Sequence, residues 1–424
     1  MKEVAITGIG VHSPIGLDVP SVLESLLELR SGIRRIDIAA TGKAYAVGLI
    51  ENDFSERFSK MERPLLDRIA QLAVLAAEQA SKDAGIVDYS TFGERAGVFF
   101  GTARGGVTTE WAASQEFTQT PAKTARPYYL MGSMPNSATS QISIRQQILG
   151  PSVTHTSACS SSGVAIADAC RHILCGELDI ALAGGSESTV QPEVAPIFLR
   201  LWDALRALAD VADDPSTSCR PFSSDRTGLA LAEGSAFFVL ESVEHARRRG
   251  ANILGYVCGS AVASDAHHMG APHPRGQVAA MRGALRAAGI DISQVDYVNA
   301  HATATREGDG VEIAAMREVL GTESERIPVS STKALHGHML GAASAMEALV
   351  CLLAARHDFI PATAHLGEVA EECRGVQHVR EVRRDTPIRH AMTLSAGFGG
   401  TNCALVLRAH APDPVHAHPG SPRP

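Results

Sequence analysis

The chain has 424 residues, 45% of them hydrophobic, with mean hydropathy +0.02. That is too long for one ordinary domain and describes two globular halves with ample core. Net charge is −8, from 38 basic and 46 acidic residues, so no basic field recruits nucleic acid. Eight cysteines, at 159, 170, 175, 219, 258, 351, 373 and 403, show no CxxC and no framework spacing. This fits a reduced, cytoplasmic protein better than a secreted one, and no apolar run reaches membrane-spanning length.

Val4–Ile9 reads as a first strand ending in Gly-Ile-Gly, with no signal-peptide pattern before it. Residues 20–30 read as a short helix and 31–60 as mixed and loop-like. Asp67–Asp83 has helical apolar spacing, with Gly85 past its end. Ala96–Phe100 is a strand running into Gly101-Thr-Ala-Arg-Gly-Gly106. Residues 110–150 read as loops and helices covering a pocket. A β-rich run from Val153 leads into Cys159, three serines, Gly163 and a helix-like run to Leu174. Ile180–Ala183 and Ser235–Leu240 are further strands, with helix and loop over 190–220 between them.

The second half begins with a strand at Ile253–Val262, followed by a helix at Gln277–Ala288. Strands at Val295–His301 and Ile327–Ser331 come next, then a helix from about Met339 to Arg356. Ala391–Ala396 and Ala404–Leu407 are the last strands. The tail, 409–424, is rich in proline and histidine and reads as disordered. Lys82-Asp-Ala-Gly-Ile and Arg286-Ala-Ala-Gly-Ile each precede a strand entering a small-residue loop. This echo divides the chain into 1–250 and 251–408 as a duplicated α/β unit with largely parallel sheets.

Gly8-Ile-Gly10 and Gly397-Phe-Gly399 lack the third glycine of a dinucleotide loop, and neither a Walker lysine nor a Gly-x-Ser-x-Gly elbow occurs. A thiol between a strand and a helix N-terminus is a good position for a nucleophile, because the helix dipole favours thiolate. Free cysteine is also a common small core residue. Three blocks accompany Cys159: Asn299-Ala-His-Ala-Thr-Ala-Thr305, Ser330-Ser-Thr-Lys-Ala-Leu-His-Gly-His338 and Ser395-Ala-Gly-Phe-Gly-Gly-Thr-Asn402. Taken singly, each histidine reads as a satisfied core residue, and a zinc site lacks a fourth ligand at a typical spacing. Together the blocks follow predicted strands and bring a thiol, imidazoles, an ammonium and a glycine-rich loop to one end of the fold. That set suits acyl transfer through a thioester.

Thr156-Ser-Ala-Cys-Ser-Ser-Ser, Asn299-Ala-His-Ala-Thr-Ala-Thr, Lys333-Ala-Leu-His-Gly-His and Gly397-Phe-Gly-Gly-Thr-Asn resemble the signature blocks of β-ketoacyl-[acyl-carrier-protein] synthases. The resemblance is to their Cys-His-His branch, which includes type II polyketide ketosynthases. It implies a thiolase fold in five layers, αβαβα. It implies decarboxylative condensation of malonyl-carrier with a Cys-bound acyl chain, without cofactor or metal. The partners it implies are an acyl carrier protein and a second subunit, identical or chain-length-factor-like. Carried over by position, Cys159 is the nucleophile and His301 and His338 promote decarboxylation. Lys333 supports His301, with Asp309 and Glu347 paired to it. Cys159 and Phe398 N–H groups form the oxyanion hole, and Phe398 gates the acyl pocket. Thr303, Gly399, Gly400, Thr401 and Asn402 support the site.

Departures from the family pattern are Ala302 beside His301, expected to narrow the malonyl pocket, Ala396 before the glycine loop, and Arg226-Thr-Gly228. A non-condensing partner subunit would lack the cysteine. A thiolase would carry a second cysteine inside Ser395–Thr401, and Cys403 lies beyond it.

Overall fold

The computed structural model describes residues 3–39, 42–120 and 126–410. Strands β1 (Val4–His12), β2 (Ala96–Gly101), β3 (Ser152–His155), β4 (Ile180–Glu187) and β5 (Gly234–Ser242) build the first sheet. Strands β6 (Gly255–Ser264), β7 (Tyr297–Asn299), β8 (Pro328–Ser330), β9 (Ala391–Gly397) and β10 (Thr401–Ala409) build the second. From the edges inward the orders are β3-β2-β4-β5-β1 and β8-β7-β9-β10-β6, the same pattern twice. Edge strands β1 and β6 meet antiparallel, Val4–Ile6 opposite Gly255–Val257, and hydrogen-bond the two sheets together. Gln377–His378 adds a short strand beyond β8.

The expectation of largely parallel sheets needs correction. In each half four of the five strands run the same way, but β5 or β10 lies antiparallel between two of them, so only half of the pairings within each sheet are parallel. The β9–β10 connection is a tight hairpin at Gly399-Gly400, and parallel strands need a crossover of a dozen residues or more.

Helices α1 (Arg68–Asp83), α2 (Val107–Gln119), α3 (Pro127–Ser133), α4 (Ser137–Gln146), α5 (Ser161–Leu174) and α6 (Ala195–Ala204) belong to the first half. Helices α7 (Pro274–Ala288), α8 (Arg306–Leu320) and α9 (Ala343–Arg356) belong to the second. Helices α5 and α9 pack on each other between the sheets; α1 covers the outer face of one sheet and α7 that of the other. The result is five layers, αβαβα. The α9 helix is buried from Ala343 to Ala355, as a central-layer helix must be. The Asp67 carboxylate caps α1 through the Ile69 N–H at 3.1 Å and holds α2 through the Thr109 N–H at 2.7 Å. Gly8 and Gly10 serve helix packing: a Cβ on either would lie within 2.1 Å of an α1 carbonyl, Ala80 O or Ala76 O.

Two elements are absent from the sequence reading. Ile33–Ile38 and Lys43–Gly48 form a hairpin within the stretch read as loop-like; Arg34 and Arg35 are exposed side by side, which breaks alternation. Helix α8 was hidden because two carboxyl groups, Asp309 and Glu312, sit on its buried face and interrupt the apolar period. The described residues of 110–150 are mainly helical. Ala409 and His410, read as tail, are ordered: Ala409 ends β10, and His410 Nδ1 meets the Tyr256 hydroxyl at 2.8 Å. The disorder expected over 411–424 lies outside the described residues. All eight cysteines are free thiols, and among the described residues no helix is long and apolar enough to cross a membrane.

Candidate active site

Strand β3 ends four residues before Cys159, which lies in a one-turn 3-10 segment leading into α5. Ala158 holds a left-handed φ of +51°, a strained conformation for a residue with a side chain, and so turns the thiol out of the strand direction. The three serines after it are fully buried and hydrogen-bonded. Ser160 Oγ donates to Ser157 O at 2.8 Å, Ser161 Oγ accepts from Ser157 N at 2.8 Å, and Ser162 Oγ accepts from Ala345 N at 2.9 Å. They lock the turn and tie α5 to α9. Their hydroxyl groups thus carry a structural role.

Strands β7 and β8, in the other sheet, deliver the imidazoles. His338 Nε2 lies 2.9 Å from Cys159 Sγ, and the His301 and His338 rings meet edge-on at 5.3 Å. Lys333 is fully buried beneath them. Its Nζ donates to His301 O at 2.5 Å, lies 3.4 Å from His301 Nδ1, and pairs with the Glu347 carboxylate. An ammonium donor at Nδ1 leaves the His301 proton on Nε2. The β9–β10 hairpin closes the site. Gly397 backs onto the Cys159 turn, where a Cβ would sit 2.6 Å from Ser157 O, and the Phe398 N–H lies near enough to the Cys159 sulfur to favour its anion. Gly399 and Gly400 have φ of +86° and +79°. Asn402 Nδ2 braces the loop through Asp265 Oδ1 at 2.8 Å and Gly400 O at 3.0 Å.

Residues 1–246 match the family model "Beta-ketoacyl synthase, N-terminal domain", and 254–367 match "Beta-ketoacyl synthase, C-terminal domain". The chain belongs to the β-ketoacyl synthase family. It is 36% identical to nodulation protein E of Rhizobium sp. (strain N33), over 96% of this chain and 99% of that protein. It is 34% identical to 3-oxoacyl-[acyl-carrier-protein] synthase 2 of Staphylococcus aureus (strain COL), over 96% and 98%. A β-ketoacyl synthase from Burkholderia phymatum STM815 superposes with TM-score 0.88 at 30% identity, covering 97% of this chain and all of that one. The ishigamide ketosynthase/chain length factor gives 0.86 at 29% identity, with the same coverage. A type II PKS acyl-carrier protein in complex with its ketosynthase gives 0.87 at 26% identity, covering 96% and 100%. The fold is the thiolase-like fold of these ketosynthases, and the chain is an acyltransferase of the 3-oxoacyl-[acyl-carrier-protein] synthase class.

One pairing expected from the resemblance is corrected. Asp309 does not pair with Lys333; its Oδ2 accepts the Phe222 N–H at 2.8 Å and lies 3.7 Å from Arg226 Nε. The α8 helix turns Asp309 towards the 222–226 loop. Arg226 is buried and holds the segment after Thr303 through Thr305 O at 3.1 Å and Arg306 O at 2.6 Å, so it is no surface contact. Ala302 joins the apolar cluster between the second sheet and its outer helices, so its methyl group packs in the core and does not narrow a substrate pocket. Thr303 is buried, 3.2 Å from the Thr305 hydroxyl, and Thr401 starts β10 opposite Gly397.

Two carboxyl groups were absent from the sequence-derived site of this ketosynthase. Glu312 accepts the His301 and Ala302 N–H groups, each at 2.7 Å, and so fixes the turn that carries the imidazole. Glu187 accepts Ala103 N at 2.7 Å and Gly341 N at 3.2 Å, joining a loop of the first half to the segment after His338. A polar residue ending a buried strand was the available signal for Glu187.

Burial dominates the electrostatics. The helix N-terminus was expected to lower the Cys159 pKa, but desolvation pushes it up to about 12, against the pull of Lys333 and the Phe398 N–H. Thiol and imidazoles are therefore neutral at rest: desolvation, then the Lys333 charge, holds His301 and His338 well below the ordinary histidine value. Cys159, His301 and His338 have donor atoms within 4.8 Å of one another, a spacing that a metal ion could use, but the adjacent ammonium opposes a cation.

Desolvation also raises Glu187 to about 7 and Glu312 to about 8 from 4.5, while His12 and His336 fall to about 4 and about 3 from 6.5. Above pH 6.5 the folded state holds carboxyl protons that the unfolded state has released, so stability falls as pH rises through 7–8. Below 4.5 the unfolded histidines bind protons that the folded ones refuse, so stability falls with acid. Denaturant midpoints are expected to peak between these limits. A midpoint still rising from pH 7 to pH 9 would contradict the burial of these carboxyl groups.

Proposed function

We propose that Cys159 is the nucleophile of a decarboxylative Claisen condensation and that His301 and His338 form its decarboxylation site. The first half, 1–250, supplies the thiol and the second, 251–408, the imidazoles. The carrying observation is the 2.9 Å approach of His338 Nε2 to Cys159 Sγ across the two halves.

The Cys159 sulfur attacks the acyl thioester on a carrier protein, and the carrier thiol leaves with a proton. The Cys159 and Phe398 N–H groups receive the oxyanion, in keeping with the Phe398 N–H aimed at the sulfur. Malonyl-carrier then binds with its thioester oxygen between the two Nε2 atoms. Loss of CO₂ leaves an enolate that the imidazole N–H groups stabilise. Its carbon attacks the Cys159 thioester, a C–C bond forms, and the thiolate departs. Lys333 fixes the His301 tautomer and Glu347 balances its charge. Phe398, 46% exposed and stacked on Trp202 at 5.4 Å, is the gate. No cofactor takes part. Cys403 is buried against Gly163 in the central layer, which disfavours a thiolase role for it.

An acyl carrier protein is the donor for both substrates, as the carrier-bound ketosynthase relative suggests. The second subunit is an identical copy or a chain-length-factor-like protein, as in the ishigamide pair.

His301→Ala and His338→Ala are each expected to slow malonyl-carrier decarboxylation about 10²–10³-fold, as loss of one oxyanion donor does. CO₂ release from malonyl-carrier measures this directly. Unchanged release in both variants would remove the imidazoles from the reaction.

A further inference from the structure

Cys159 has a polar side and an apolar side. The imidazoles form the first. The second is a cluster of Val190, Ala195, Leu199 and Leu340, with Ala103 and Trp202 at its edge. Ala195, Phe198, Leu199 and Trp202 share one face of α6. At one end of this face Trp202 stacks on Phe398, whose N–H meets the sulfur. One helical turn away, about 6 Å along the axis, Phe198 lies under the Arg104 guanidinium at 5.1 Å. Arg104 follows Ala103, which the buried Glu187 pins beside the cluster. Among the described residues the Arg104 side chain makes no ion pair or hydrogen bond, and it is exposed over the Phe198 ring. A guanidinium stacked by its plane keeps its edge N–H groups free for a bidentate carboxylate.

We propose that Arg104 reads the far end of the acyl group on Cys159 and selects short chains that end in a carboxylate. This rests on Cys159 being the acyl acceptor. The chain carbons lie on the Ala195–Leu199 face, and the terminal carboxylate pairs with the guanidinium over Phe198.

The test compares adipoyl- and hexanoyl-pantetheine, which match in length and differ in the terminal carboxylate. Neither carries a phosphate, so a response to Arg104 belongs to the acyl end and not to a carrier's phosphopantetheine. Acylation of Cys159 is followed by intact-protein mass spectrometry for wild type, Arg104→Lys and Arg104→Leu. Wild type is expected to load adipoyl about 10–100-fold faster than hexanoyl, the range for a hydrogen bond to a charged group. Arg104→Leu is expected to reverse the order, and Arg104→Lys to keep a reduced preference. Equal or faster hexanoyl loading by wild type, or a ratio unchanged in Arg104→Leu, overturns the proposal. If neither thioester acylates Cys159 while iodoacetamide still labels it, the nucleophile assignment fails and the selectivity proposal falls with it.

Discussion

Cys159→Ala is expected to abolish covalent acyl loading and to lower condensation by on the order of 10⁴-fold or more, the scale seen when a nucleophile is removed. The same variant is expected to keep releasing CO₂ from malonyl-carrier. The two imidazoles, Lys333 and the glycine loop all lie in segments other than that of Cys159, and only His338 Nε2 and the Phe398 N–H face the sulfur. Mass spectrometry of the protein after incubation with acyl-carrier, with CO₂ release measured in parallel, separates the two half-reactions. An acyl adduct on the variant would move the nucleophile elsewhere. Loss of both activities together in a folded variant would mean that the thiol also organises the decarboxylation site.

Lys333→Ala has the largest expected effect on stability. It leaves Glu347 fully buried without its cation, and breaking a buried pair in this way costs about 3–5 kcal/mol. It also frees His301 Nδ1 and the His301 carbonyl from their donor. Burial already raises the Glu347 pKa, and removal of the ammonium raises it further. A carboxyl group with a raised folded pKa contributes stability at low pH that is lost as pH rises through that value. The deficit relative to wild type is therefore expected to be smaller at pH 5 than at pH 8. Denaturant titrations at the two pH values test the sign. A Lys333→Ala protein as stable as wild type at pH 8 would show that the pair is not buried as described.

Much of this was legible in the chain. The strands that carry the site follow the apolar runs, and each chemical block sits at the end of one of them. The Lys82 and Arg286 echoes mark equivalent positions, before β2 and before β7. What escaped the sequence did so for identifiable reasons. Helix α8 buries two carboxyl groups on the face that an apolar period would have marked. Glu187 and Glu312 bind backbone N–H groups of other elements, and a carboxyl group at a strand end or on a helix does not announce which N–H groups it will meet. The Asp309 pairing, carried over from the resemblance, failed because a position shortly after the His301 block says nothing about which way a helix turns its side chains.

By itself the sequence determined the chemical inventory, the duplicated α/β plan and the family, because motifs at strand ends survive as local patterns. The tertiary structure decided the state of that inventory. Cys159 meets His338 only because two sheets, hydrogen-bonded edge to edge through β1 and β6, pack α5 against α9. The same packing removes water from the thiol, so desolvation outweighs the helix N-terminus that the sequence suggested would govern it. Solvent exclusion depends on what covers a residue from all sides, and a linear order of residues does not contain it.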